Sequence, residues 1–184
     1  MATQDIEGAL AVVRRAIHDE IAGQRFYQDA AYHSVDPWAK EIFATLAQEE
    51  EDHSRLLLLE YEALTMQGRW IDLDTARTSD AEVDIARLTF SDDEPSPALF
   101  PAQWSVEGLV DRRTDDLGAL AFGIKMERRA IDLYSQAASA CAGPAAREAF
   151  EFLVQEEVRH YQELKTHWEK LAGRPFNEAR HGEE

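Results

Sequence analysis

The sequence predicts an all-α protein: a four-helix bundle built from two repeated helix pairs joined by a long crossover connection. Three observations carry this expectation. Apolar residues recur at alternating spacings of three and four along four long stretches, the period of a helix face. Residues 17–57 slide onto 124–164 without a gap and give 15 identities in 41 positions, the mark of an internal repeat. Between the two halves, Pro95, Pro97 and Pro101 interrupt any helical stripe.

The first helix is expected over about 5–33, with the seam Ile6, Leu10, Val13, Ile17, Glu20, Gln24, Tyr27, Ala31. A turn follows, in which Asp36 is placed to cap the next helix and Pro37 suits its first position. That second helix runs to about Gln67 and stops at Gly68. Residues 68–113 fit no seam and read as the crossover, with a short helix expected over 80–88. If the second and third helices run parallel, such a connection must carry the chain back along the whole bundle. Its Trp70, Phe90, Phe100 and Trp104 are expected to pin it to the bundle side or to a second subunit, and Asp92-Asp93-Glu94 to form a solvated loop. Thr114 is a suitable cap for the third helix, whose seam is Leu117, Leu120, Ile124, Glu127, Ile131, Tyr134, Ala138, Cys141. Gly143-Pro144 turns the chain into a fourth helix, which ends near Ala172 before Gly173 and Pro175. The tail to Glu184 is expected to be loose. The 184 residues suit a single domain, 1–184.

Acids and imidazoles interrupt these seams where core residues belong. In the second helix the inward positions are Phe43, Leu46, Glu50, His53, Leu57, and in the fourth they are Phe150, Leu153, Glu157, His160, Leu164. Glu-x-x-His on a helix aims both side chains at one point. Glu20 and Glu127 break the other two seams at matching places of the repeat. Buried unpaired, such carboxylates would each cost several kcal/mol or more, on the order of a full desolvation penalty. Four carboxylates and two imidazoles are the ligand count of a carboxylate-bridged dinuclear metal site. Hard oxygen donors with one imidazole per metal suit iron or manganese, and zinc is compatible. Tyr27 and Tyr134, also repeat mates, are expected to donate hydrogen bonds to ligand carboxylates. Glu49, Glu51 and Asp52 are expected on a solvated face, and His18, His33 and His181 at the surface. Glu60 and His167 lie one heptad beyond the two imidazoles and are expected to make a polar bundle end.

Composition bounds the partners. A formal net charge of −17 argues against nucleic acid and anionic membranes. One cysteine, Cys141, provides no intrachain disulfide and no Cys-based metal or redox motif. With no signal peptide evident and no spanning apolar run, a soluble cytoplasmic protein is the expectation.

The doubled Glu…Glu-x-x-His pattern resembles the ferritin-like di-iron carboxylate superfamily, and within it the rubrerythrin-like (erythrin-type) branch. The resemblance covers the chain except for the 68–113 connection. It implies two iron ions, with Glu50 and Glu157 bridging, Glu20 and Glu127 as terminal ligands, and His53 and His160 capping one metal each. It also implies an oxidoreductase that reduces hydrogen peroxide or oxygen, an external electron donor, and a homodimer. The alternative it allows is a ferroxidase or an iron-binding protein for storage or delivery. Two departures stand out. A single cysteine rules out the rubredoxin domain with its two Cys-x-x-Cys pairs, and Ala130 stands where rubrerythrins tend to carry a further Glu.

Overall fold

A computed structural model describes residues 2–79 and 116–177. Five helices occupy them: α1 (Ala2–His33), α2 (Pro37–Gln67), α3 (Leu73–Thr78), α4 (Asp116–Ala140) and α5 (Pro144–Ala172). The four long ones form the expected all-α, ferritin-like bundle, with α1 packed along α2 and α4 along α5. Cross-helix partners fix the directions. Tyr27 meets Glu127 while Tyr134 meets Glu20, so α1 and α4 are antiparallel. Asp36 meets His167 while Glu49 meets His160, so α2 and α5 are antiparallel as well. The tight α1–α2 turn then makes α2 and α4 parallel, and the connection between them has to recross about 45 Å of helix.

Local signals set the ends. Asp36 accepts hydrogen bonds from the amides of Trp38 at 3.0 Å and Ala39 at 2.8 Å, satisfying two donors of the first turn of α2. Gly68 closes α2 in the left-handed region, φ 68°, and returns its N–H to the Leu64 carbonyl. Asp116 at the start of α4 takes the amides of Val35 and Asp36, which ties the second helix pair to the first turn.

The core divides into two apolar clusters with a polar layer between them. One holds Ile17, Leu57, Tyr134, Phe150 and Leu153; the other holds Ile124, Leu164, Tyr27, Phe43 and Leu46. These two sets are mates under the repeat, position by position. The repeat is therefore expressed as a pseudo-two-fold axis crossing the bundle at mid-length.

One expectation about the connection changes. Residues 73–78 form a helix where none was expected, started by Asp72, whose side chain takes the Thr75 amide at 2.9 Å. Trp70 packs on the bundle as anticipated, its ring 5.6 Å from that of Phe150. Arg77 lies over Phe152 at 4.7 Å and Arg55 donates to the Ser79 carbonyl, so α3 is held against α2 and α5. The helix expected over 80–88, Phe90, Phe100, Trp104, the acids 92–94, Thr114, the tail from 178 and His181 lie outside the described residues. No helix among the described residues is long and apolar enough to cross a membrane.

Candidate metal centre

All six expected ligands lie in the polar layer, and none is more than 4 % exposed. α1 contributes Glu20, α4 contributes Glu127, and the facing turns of α2 and α5 contribute the two Glu-x-x-His pairs. His53 Nδ1 faces Glu20 Oε2 at 3.4 Å, Glu157 Oε1 at 3.4 Å and Glu50 Oε2 at 3.8 Å. Its mate, His160 Nδ1, faces Glu157 Oε2 at 3.2 Å, Glu50 Oε1 at 3.4 Å and Glu127 Oε1 at 4.0 Å. The two imidazoles lie nearly parallel, their centroids 5.4 Å apart.

Despite this crowding, Glu20 Oε2, His53 Nδ1, His160 Nδ1 and both oxygens of Glu157 have no hydrogen-bond partner. Buried polar atoms normally find one. Here they converge without bonding to each other, which is how a donor set for cations is arranged. The six expected donors fall into two groups, Glu20–Glu50–His53–Glu157 and Glu50–Glu127–Glu157–His160, each with ligand atoms within 4.8 Å of one another, and a third group, His53–Glu156–His160, joins both imidazoles to an acid outside the six. Glu50 and Glu157 belong to both of the first two.

Electrostatics follows from burial. Desolvation, and then the neighbouring carboxylates, hold Glu20 and Glu127 well above the usual carboxylate range. Burial alone would lower the imidazole pKa values, but the surrounding carboxylates overcome it and raise His53 and His160 well above normal. Glu157 and Glu50 resist the upward pull of desolvation because they face those imidazoles, and both fall below normal. Protons are thus held more tightly than usual at Glu20, Glu127, His53 and His160, and less tightly at Glu50 and Glu157.

The tyrosines act as expected, and they do so crosswise. Tyr27 of α1 donates to Glu127 of α4, and Tyr134 of α4 donates to Glu20 of α1. Beside them Gly23 and Ala130 leave a cavity of about 20 Å³ against Glu20, Glu50, Glu127 and Glu157. That is room for a water-sized molecule and nothing larger.

The family model for rubrerythrin matches residues 11–168, a span that contains every residue of this layer. The chain belongs to the rubrerythrin family. That family is a ferritin-like di-iron family whose members usually bind iron, which agrees with the donor chemistry found here. No curated protein and no solved structure gives a significant match.

Two sequence expectations need adjustment. Glu49 does not lie on a solvated face: half-buried, it takes His160 Nε2 at 3.1 Å and is held near pKa 2 by that bond, against its own partial burial. The signal was present, since Glu49 and Glu156 are themselves identical in the repeat. Glu60 and His167 do not share an end of the bundle. Antiparallel α2 and α5 send them to opposite sides, Glu60 to the amide of Ile71 and His167 to Asp36. His18 and His33 are exposed as expected.

Proposed function

We propose that this protein is a di-iron oxidoreductase that reduces hydrogen peroxide or oxygen at the expense of Fe(II) oxidation. The sharing of Glu50 and Glu157 between two complete donor groups carries the reading, because a shared pair is what holds two metals at bridging distance. Glu20 with His53, and Glu127 with His160, would complete the two metal positions. Two iron ions held there would supply one electron each, matching the two-electron reduction of peroxide to water. The chain's own residues do the rest. The two apolar clusters exclude bulk water from either side of the layer. Tyr27 and Tyr134 each hold a proton at the phenol oxygen, against Glu127 and Glu20. The space beside Ala130, of about 20 Å³, is too small for an organic substrate.

With no paired cysteines in the chain, electrons must come from an external donor. A second copy of the chain is the further partner in this reading. Tyr32, Val35 and Trp38, 79 %, 88 % and 56 % exposed around the α1–α2 turn, support a homodimer. A ferroxidase, or an iron-delivery protein without turnover, is the second reading. The cavity beside His53 favours it, since it brings an opening, walled by Glu49, Asp52 and Glu156 with Arg55 and Arg77, next to the layer.

One experiment separates these. Metal-free protein titrated anaerobically with Fe(II) is expected to take up two ions per chain, and Glu50→Ala, which removes a ligand from both groups, less than one. Exposure to peroxide or oxygen then discriminates: a peroxidase retains its iron through repeated turnover, whereas a ferroxidase consumes added Fe(II) and accumulates ferric mineral. Uptake below one ion that Glu50→Ala leaves unchanged would sink the dinuclear centre altogether.

A further inference from the structure

The repeat that makes the ligand layer symmetric is broken just outside it. Positions 49 and 156 are both Glu, but position 52 is Asp and its mate 159 is Arg. The Arg159 guanidinium reaches Glu49 Oε1 at 3.1 Å, Glu156 Oε2 at 2.7 Å and Glu163 Oε1 at 3.4 Å. Glu49 Oε2, which also accepts from the Arg159 guanidinium at 3.2 Å, meets His160 Nε2 at 3.1 Å. That bond keeps a proton on Nε2, turns Nδ1 toward Glu50, Glu127 and Glu157 as the atom left for a metal, and fixes the ring plane.

His53 has no equivalent support. Among the described residues no hydrogen bond reaches its Nε2. Glu156, which the pseudo-two-fold would assign to it, offers an oxygen within 4.8 Å of a His53 nitrogen but is engaged by Arg159. His53 instead forms part of the wall of a cavity of about 320 Å³, together with Glu49, Asp52, Arg77, Phe152 and Glu156. His160 has no place in that wall.

Resting on the dinuclear reading above, we infer that the two metal positions are unequal. The position capped by His160 is the tight, retained one, and the position capped by His53 is the exchange position, loaded and emptied through the cavity. Glu49 is the positioning residue for the first, and Arg159 creates the difference by withholding Glu156 from the second. An imidazole braced by a carboxylate meets a metal already oriented and more basic, an effect of about 10- to 100-fold in affinity. The unbraced ring has to be ordered by the metal itself. The cavity borders the His53 side, where Glu49, Asp52 and Glu156 share the wall with Arg55 and Arg77.

The test is an anaerobic titration of the metal-free full chain with cobalt(II), read by ligand-field absorption and by calorimetry. Two resolved steps are expected, separated by about 10- to 100-fold. Glu49→Ala should weaken the first step by about that factor and leave the second in place, so that the steps merge. Arg159→Gln should release Glu156 to His53 and tighten the second step, moving the first much less. Circular dichroism of the metal-free variants checks the fold, and should Glu49→Ala fail it, Arg159→Gln carries the test by itself. Equal steps in the parent chain, equal weakening of both by Glu49→Ala, or an unmoved second step in Arg159→Gln overturns the inequality while the dinuclear centre stands. Fewer than two cobalt ions per chain overturns both.

Discussion

Glu60 shows what a single buried acid does when no cation is at hand. It is fully buried on the α2 seam, one oxygen taking the Ile71 amide at 3.1 Å and the other without a partner. Burial, reinforced by Asp72, raises its pKa from 4.5 to about 7. The folded protein therefore holds this proton more tightly than the unfolded chain. The stabilisation is complete below pH 4.5 and is lost as the pH rises through about 7. Glu60→Gln should remove this slope, making stability flatter by about 1–3 kcal/mol across the interval, as urea unfolding at a series of pH values would record. The residue was visible in the sequence as an acid on an apolar stripe; its lone oxygen and its distance from His167 were not. The six ligands were legible for the same reason Glu60 was, since each breaks a seam. Glu49 sits beside the seam, where periodicity cannot separate a solvated acid from one that reaches a neighbouring helix.

At the scale of the element, short-range chemistry was the most readable. Asp36-Pro37 starts α2 and Gly68 ends it, at the residues the sequence indicated. Asp36 serves three partners at once, two amides of its own helix and His167 of α5. Asp36→Ala should destabilise the protein by about 1–2 kcal/mol, the upper part of the range for a lost N-cap, because the link to α5 goes with it. Chemical denaturation of the two proteins side by side measures it, and a difference below a few tenths of a kcal/mol would contradict the capping role. The helix α3 escaped detection because its six residues are too short to show a helical period. Its cap, Asp72, precedes one buried residue, Ala76, and what holds it in place is contact with α2 and α5.

For the whole molecule the governing fact is charge balance in a sealed layer. Four carboxylates and two imidazoles share a region with almost no exposure, and the metal-free protein neutralises them with protons. Burial and like charge raise Glu20 and Glu127, and the facing carboxylates raise His53 and His160, so all four hold protons more tightly than ordinary groups. Two divalent cations would displace protons that these raised groups hold, so loading both positions near neutral pH should release protons from the layer. Calorimetry in buffers of different ionisation enthalpy counts them. Release close to zero would mean that metal binds elsewhere. The same balance gives the sign of the pH dependence: affinity for metal should fall as the pH is lowered, because protons compete for the same atoms.

The sequence by itself determined the four long helices, their repeat, and which six polar side chains lie in the buried layer, because each rests on a local rule. A helix face has a fixed period, a cap has a fixed chemistry, and a charge on an apolar stripe stands out wherever the stripe leads. Tertiary structure decided what depends on which helices meet and in which direction. Antiparallel pairing crossed Tyr27 to Glu127 and Tyr134 to Glu20, parted Glu60 from His167, and brought Arg159 between Glu49 and Glu156. Two halves read as equivalent in the sequence thus fold into a centre with one braced imidazole and one facing a cavity. A repeat specifies matching backbones, whereas a hydrogen bond is settled by the side chain that arrives from the opposite helix.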